Sequence, residues 1–200
     1  MGRRLGMGQY QELLAEYLLN NPDEQSACDN LLSQVATETD SELTNRKNFR
    51  GHFTASIFVV SEQDNRVLML HHNILKRYLQ PGGHIEPSDQ NPLMAAKREL
   101  VEETQIDAEN LVYKCVNPLN PLVPFHISIH KIPENTLKNE KSHYHYDCQY
   151  LFLSSKDTQV IIDEKESSSF EWIEWDAFKQ MTGYQKIAQK IGSLSTVVGR

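Results

Sequence analysis

Hydrophobic residues recur at helical spacing near the start of the chain. Between positions 9 and 19 they lie three or four residues apart, which predicts an amphipathic helix that the Asn-Asn-Pro segment at 20–22 ends. A second helix is predicted from about 23 to 37. The apolar positions of the two helices are Leu13, Leu14, Tyr17, Leu18, Cys28, Leu31, Leu32 and Val35. Residues 1–45 are therefore expected to form a helical hairpin that packs on the rest of the chain or builds a homodimer, and the alternative is a direct role in substrate choice.

Short apolar runs of strand length occupy most of the remaining chain. They predict strands at 54–60, 66–71, 111–115, 126–130, 144–153 and 170–173. A helix is predicted after Asn91 and Pro92, which are a good N-cap and a good first helical residue, and a last helix from about 175 to 191. Strands between helices predict an α/β sandwich, with residues 46–200 as its domain.

Composition and charge restrict the expected partners. The net charge of −7 argues against polymeric nucleic acid, because phosphate backbones are bound by clustered lysine and arginine. Cys28, Cys115 and Cys148 are odd in number and far apart, so no disulfide framework is predicted and a reducing cytoplasm is the expected location. No apolar stretch approaches the roughly 18 residues of a membrane span, so no membrane contact is expected.

Three glutamates follow a glycine turn in the middle of the chain. Gly82 and Gly83 form the turn, and Glu99, Glu102 and Glu103 lie in the helix predicted after it. Because an α-helix has 3.6 residues per turn, the three carboxylates project within an arc of roughly 100°. Anions held so close repel one another unless a cation lies among them. By themselves such glutamates are usually a solvated helix face. The Pro-Gly-Gly turn just upstream and the helix start at Asn91 and Pro92 favour a divalent-metal site instead.

The same helix is expected to carry its apolar residues on two sides. Ala95 and Ala96 fall on the carboxylate side, where small side chains would leave room for a metal and a substrate. The stripe expected to pack on the sheet consists of Leu93, Met94, Leu100 and Val101.

The glycine turn and the acidic helix together resemble the signature of the Nudix hydrolase superfamily. In that signature a glycine, a glutamate and an Arg-Glu-x-x-Glu-Glu segment follow one another along a loop, a helix and a loop. Here the last part reads Arg-Glu-Leu-Val-Glu-Glu at 98–103, and the flanking segments 52–56 and 79–84 are similar to one branch of the superfamily. The sequence departs from this signature in three ways. Asp89 replaces a glutamate, eight rather than seven residues separate Asp89 from Arg98, and Gln105 replaces the glycine that normally closes the helix.

The resemblance implies a Nudix-type sandwich with a mixed sheet, and a hydrolase that uses Mg²⁺ or Mn²⁺. The implied metal ligands are the carboxylates of Glu99, Glu102 and Glu103 and the backbone carbonyl of Gly83. Such a site would neutralise a diphosphate and activate water against one phosphorus.

Further residues of the implied site have supporting or catalytic roles. Arg98 is expected to orient carboxylates, including that of Asp89, and Gly82 supports the turn. A general base must reach the attacking water, and both Glu99 and Glu166 are candidates, the latter because Nudix proteins can draw this group from a later loop.

A second polar pattern lies in the predicted strand at 144–153. His143, His145 and Asp147 alternate with aromatic residues, so all three side chains lie on one face. One interpretation is an additional metal-binding or phosphate-contacting surface, with His84 and His130 nearby. The other is a polar strand face whose hydrogen bonds are satisfied.

The predicted reaction is hydrolysis of a diphosphate linkage in a nucleoside diphosphate joined to another moiety. The expected substrate is a small molecule: a nucleotide, an ADP-ribose-like compound or a nucleotide sugar. Arg46, Arg50 and His52 are candidates to bind its distal phosphate or ribose. One alternative is a non-catalytic module that senses a nucleotide. The isomerase branch of the fold is disfavoured, because it needs a cysteine near the glycine turn and none lies between Cys28 and Cys115.

Overall fold

The computed structural model describes residues 7–136, 139–154 and 158–194. The strands are β1 (Gly51–Ser61), β2 (Arg66–His72), β3 (Tyr78–Leu79), β4 (Gly82–His84), β5 (Val112–Tyr113), β6 (His126–Ile132), β7 (His143–Ser154) and β8 (Ser167–Glu174). The α-helices of the described residues are α1 (Gln9–Asn20), α2 (Asp29–Val35), α3 (Asp40–Leu43), α4 (Pro92–Thr104), α5 (Trp175–Phe178) and α6 (Gln185–Leu194). All six predicted strands and the acidic helix are confirmed, with bounds that differ by a few residues.

The strands form one mixed sheet. Its main order is β3-β2-β1-β7-β5, while β4 pairs with β1, β6 with β7 and β8 with β2. β1 and β7 run parallel, from Gly51 opposite Tyr144 to Ser61 opposite Ser154, whereas the other pairs are antiparallel. The long parallel pair lies in the middle of the sheet and is buried, as parallel strands usually are.

Alternating side chains of β1 face two separate cores. Ala55 and Ile57 pack in the core that contains residues of α1, α2 and α4. Phe58 and Val60 pack in the core that contains residues of α5 and α6. Because successive strand residues point to opposite faces, this alternation places helices on both sides of the sheet and confirms the predicted α/β sandwich.

The N-terminal segment packs against the first core, but its second helix is shorter than predicted. Two 3₁₀ turns, Pro22–Glu24 and Ser26–Cys28, precede α2, so the prediction of one helix from 23 to 37 was wrong. The carboxylate of Glu24 in the first turn forms ion pairs with Lys186 and Lys190 of α6. These tertiary contacts hold the turn in place and prevail over local helix propensity. The division of the chain at residue 45 remains a prediction.

The predicted last helix, 175–191, is also divided. α5 ends at Phe178, and α6 begins at Gln185 after a turn in which Gly183 has a φ of 87°. A positive φ is incompatible with a right-handed helix, so a continuous helix was the wrong prediction. In the described ranges, no helix combines the length and the hydrophobicity that crossing a bilayer would require.

Candidate active site

The ends of α4 are fixed by local contacts. The side chain of Asn91 accepts a hydrogen bond of 2.9 Å from the Met94 amide, and Pro92 is the first helical residue, as predicted. At the other end Gln105 has a φ of 56°, and its amide donates to the carbonyl of Val101. A left-handed conformation costs a non-glycine residue roughly 1–2 kcal/mol. Gln105 thus ends the helix where the family signature has glycine.

The buried face of α4 differs from the predicted stripe. Leu93 and Leu100 are buried, but Met94 and Val101 are exposed, so the prediction was wrong for these two residues. Ala95 and Ala96 are also fully buried, and they do not line an open site as expected. The reason is that the helix turns positions 93, 96 and 100 toward the sheet, where small side chains allow close packing. This rotation places Glu99 and Glu103 at the edge of the buried face.

Two of the three glutamates contact the glycine turn directly. The Gly82 amide donates a hydrogen bond of 2.9 Å to Oε2 of Glu103, which is 8% exposed. A Cβ atom at Gly83 would lie only 2.5 Å from Oε1 of Glu99. The Glu102 side chain is 57% exposed at the rim. The fold therefore brings two of the predicted metal ligands, Glu99 and Glu103, to the turn and leaves Glu102 at the rim.

Arg98 connects the carboxylates of this site. Its Nη1 donates to Oε1 of Glu99 at 3.0 Å and to Oε2 of Glu102 at 2.9 Å. Its Nη2 donates to Oδ2 of Asp89 and to the carbonyl of His84, both at 2.9 Å. The shorter Asp89 side chain thus still reaches Arg98, and it also accepts a hydrogen bond from the Glu86 amide. These contacts are those of a residue that orients carboxylates.

The loop before β8 carries Glu166 to the same place. Two backbone hydrogen bonds join this loop to the end of α4, from Asp163 to the carbonyl of Glu103 and from Ile161 to that of Thr104. The Glu166 carboxylate lies close enough to Glu103 to raise the pKa of that side chain. The second base candidate therefore lies beside the buried carboxylates.

Burial and mutual repulsion oppose ionisation of the carboxylates Glu99 and Glu103. Burial raises the pKa of Glu103 to about 9, and the charges of Glu99 and Glu166 add to this effect, while the Gly82 amide opposes it. Burial also raises the pKa of Glu99 to about 7, although Arg98 lowers it. Neighbouring carboxylates repel one another when all of them are ionised. A hard divalent cation binds such oxygen ligands and neutralises their charge. The residues present therefore fit Mg²⁺ or Mn²⁺.

Gly83→Ala should reduce activity without unfolding the protein. The added methyl group would displace the end of the flexible Glu99 side chain rather than the backbone. We expect weaker activation by Mn²⁺ and at least a 10-fold lower kcat, because catalytic groups must be held within a fraction of an ångström. Steady-state kinetics at several Mn²⁺ concentrations, with circular dichroism as a check on folding, would test this. Unchanged kinetics would show that Gly83 does not constrain Glu99.

Five histidines form a cluster on the face of the sheet opposite α4. The centroid of the His145 ring lies 4.6 Å from that of His52, 5.1 Å from His143, 5.3 Å from His84 and 5.5 Å from His130. Burial lowers the pKa of His52 to about 4, and it also lowers the pKa of His130. At neutral pH His52 is therefore an uncharged imidazole.

Asp147 lies on this face but has separate partners. Its carboxylate accepts hydrogen bonds from the hydroxyl groups of Thr54 and Ser56 at 3.1 and 2.7 Å. The side-chain amides of Gln80 and Gln149 donate to it as well. For Asp147 the structure thus matches the alternative in which a polar strand face satisfies its own hydrogen bonds.

The two predicted substrate-binding arginines point to different places. Arg46 lines a cavity of about 90 Å³ together with His84, His143 and His145. Arg50 instead forms an ion pair of 3.2 Å with Glu38, in the N-terminal segment. The cavity wall also includes Glu140, which sequence reasoning missed because no motif marks it.

The comparisons with known proteins agree with this geometry. A family model described as the NUDIX domain matches residues 51–191. The chain belongs to the Nudix family. It is also 32% identical over 118 residues to a Lactococcus lactis subsp. cremoris (strain MG1363) protein named a probable DHNTP pyrophosphohydrolase. The matched region is 59% of this chain, and the chain spans 63% of the length of that curated relative.

Solved structures share the Nudix fold of this chain. The Escherichia coli dihydroneopterin triphosphate pyrophosphohydrolase matches with a TM-score of 0.54 and 17% identity, over 74% of this chain and 96% of that one. A binary complex of the C. elegans Ap4A hydrolase matches with a TM-score of 0.52 and 18% identity, over 70% and 95% of the two chains. These likenesses confirm the mixed sheet with flanking helices implied by the Nudix resemblance.

Proposed function

We propose that this protein is a divalent-metal-dependent hydrolase that cleaves a diphosphate linkage in a small molecule. The observation that carries the proposal is the burial of Glu99 and Glu103 against the Gly82-Gly83 turn, with Glu166 beside them. The substrate class is a nucleoside diphosphate joined to another moiety. Nudix membership and the pyrophosphohydrolase name of the Lactococcus relative support this reaction type.

The metal would be Mg²⁺ or Mn²⁺, held by Glu99, Glu102, Glu103 and the carbonyl of Gly83. When bound, such an ion neutralises the diphosphate and makes water more acidic. The protein contributes rigid placement: the Gly82 amide orients Glu103, and Arg98 orients Glu99 and Glu102.

Glu166 is the better candidate for the general base. Glu99 is mostly buried, and Arg98 occupies its Oε1 atom. Glu166 is exposed on its loop and lies beside Glu103, so it is open to a water molecule approaching the carboxylates. A base with this access can accept the proton of the attacking water.

A substrate screen would test this function. The purified protein is incubated with dihydroneopterin triphosphate, nucleoside triphosphates, dinucleoside polyphosphates, ADP-ribose and nucleotide sugars. We expect phosphate or nucleotide release from at least one compound with Mg²⁺ or Mn²⁺, and none after chelation by EDTA, because charge neutralisation of the diphosphate is lost. Dihydroneopterin triphosphate and dinucleoside polyphosphates are included because relatives are named for them.

The same screen distinguishes the hydrolase from the alternative, a nucleotide-sensing module. A nucleotide-sensing module would show saturable ligand binding with no product under Mn²⁺. The presence of Glu99, Glu102 and Glu103 favours the enzyme.

The cytoplasmic location and the homodimer are further proposals. The thiols of Cys28, Cys115 and Cys148 are all free, which suits a reducing compartment. The homodimer is tested by the molar mass of the protein in solution.

A further inference from the structure

Three histidines of the cluster bring ring nitrogens close together. One ring nitrogen from each of His52, His143 and His145 lies within 4.8 Å of the other two. The Nε2 atoms of His143 and His145 are 3.3 Å apart. In a tetrahedral site with metal–nitrogen bonds of about 2.0–2.1 Å, neighbouring nitrogens are about 3.3–3.4 Å apart. We propose that these three histidines bind a transition-metal ion such as Zn²⁺.

Backbone carbonyls orient two of the three rings for this role. Nδ1 of His143 lies 2.7 Å from the carbonyl of Lys141, and Nδ1 of His52 lies 3.3 Å from that of Asn48. A carbonyl only accepts hydrogen bonds, so each Nδ1 carries the proton and each Nε2 keeps a lone pair. Metal-binding histidines commonly show this arrangement, in which the second ring nitrogen donates to a carbonyl or carboxylate.

Hydrogen bonding within the cluster does not explain the environment of the Nε2 atom of His52. This atom is buried and has no hydrogen-bond partner among the residues that the structure describes, and His52 has no exposed surface. Buried polar atoms in native proteins nearly always have a partner, and leaving one without a partner costs free energy. A hydrogen bond between His143 and His145 would satisfy those two rings but would leave His52 unsatisfied. A shared metal ion satisfies all three.

The proposed site is separate from the carboxylate site. His52 lies opposite His145 in the parallel register of β1 and β7, on the sheet face that α4 does not cover. Gly83 pairs with Ala55, whose side chain is on the α4 side, so the two sites lie on opposite faces. Imidazole nitrogens select Zn²⁺ and related transition metals, whereas carboxylate oxygens suit Mg²⁺ and Mn²⁺.

A fourth ligand would enter from the cavity that Arg46 lines. His143 and His145 form part of its wall, and so does Glu140. A site with three protein ligands and one open position can accept water or an anionic oxygen. The inference therefore adds a second, chemically distinct metal site, and it does not depend on the proposed hydrolase activity.

Metal titration of the full-length chain tests the proposal. The protein is stripped with a chelator and titrated with Zn²⁺ by calorimetry in the presence of excess Mg²⁺, and with Co²⁺ by visible absorption. We expect one tightly bound equivalent and the absorption of tetrahedral Co²⁺. His143→Gln and His145→Gln should each weaken binding by at least about 100-fold, since loss of a direct ligand costs more than loss of an outer-shell partner.

Two control variants locate the site. His71→Gln removes a histidine that contacts Ser168 on β8 and should leave Zn²⁺ affinity unchanged. Glu103→Gln alters the carboxylate site, and this variant should also keep the Zn²⁺ affinity of the wild type. Equal affinity in His143→Gln, His145→Gln and the wild type would overturn the proposal.

A measurement on the wild type covers the case in which the histidine variants fail to fold. X-ray absorption of the Zn²⁺ complex should show three imidazole ligands. A coordination shell of oxygen alone, or no uptake of Zn²⁺ by the folded protein, would contradict the assignment.

Discussion

Glu103→Gln should lower kcat by roughly 10³-fold, as expected when a residue that stabilises transition-state charge is lost. The variant removes a metal ligand but keeps an oxygen that can accept the hydrogen bond from the Gly82 amide. Because burial and the charges of Glu99 and Glu166 raise the pKa of Glu103, its neutral form is favoured without metal, and a neutral amide should not unfold the site. The measurement is kcat across a Mn²⁺ titration, with thermal unfolding as a check on stability.

Two other glutamate variants sharpen this test. Glu109 follows α4, and its exposed carboxylate pairs with Lys97. Glu109→Gln should keep wild-type kinetics. Glu166→Gln should lower kcat while leaving Mn²⁺ affinity unchanged, if Glu166 is the base rather than a ligand. A normal rate for Glu103→Gln would refute the metal assignment.

The acidic helix was predictable because its signals are local. Helical pitch alone places Glu99, Glu102 and Glu103 on neighbouring positions, and Asn91 marks the start of the helix through a contact three residues away. The orientation of the helix against the sheet was not predictable in the same way. It depends on packing with β1, and this packing exposes Met94 and Val101.

The histidine cluster shows where reasoning from one sequence stops. Alternation along β7 correctly placed His143, His145 and Asp147 on one face. It did not show that β1 is the parallel neighbour, which brings His52 opposite His145 and gives Asp147 its partners on Thr54 and Ser56. Pairing between strands so far apart in the chain is decided by the whole fold.

Glu24→Gln should lower the free energy of unfolding by about 3 kcal/mol, the lower end of the loss seen when one partner of a buried ion pair is removed. Glu24 is 4% exposed, and its Oε1 lies 2.6 Å from Nζ of Lys190 and 3.0 Å from Nζ of Lys186. The Tyr17 hydroxyl donates to its other oxygen. Glutamine keeps the shape but leaves the mostly buried Lys190 without its counter-charge. Urea unfolding at pH 7 measures the difference between the variant and the wild type.

An exposed ion pair provides the matched control. Glu174 lies 2.7 Å from Arg66, but the two side chains are 61% and 44% exposed. Pairs in contact with water contribute little, so Glu174→Gln should change the stability by less than about 1 kcal/mol. Similar losses in Glu24→Gln and Glu174→Gln would show that burial does not set the strength of these pairs.

The effect of Glu24→Gln should also depend on pH in a defined direction. Burial opposes ionisation of Glu24, but hydrogen bonds from Lys190, Tyr17 and Lys186 prevail and lower its pKa from 4.5 to about 2. A carboxylate whose pKa is lower in the folded state contributes its full stability above pH 4.5, and this contribution is lost as the pH falls toward 2. The stability difference between wild type and variant should therefore be constant from pH 7 to 5 and shrink below 4.5. Burial lowers the pKa of the neighbouring His126 to about 4, but both proteins contain this histidine, so its direct contribution largely cancels in the comparison. A difference that stays constant down to pH 3 would mean that the charge of Glu24 is not what stabilises this contact.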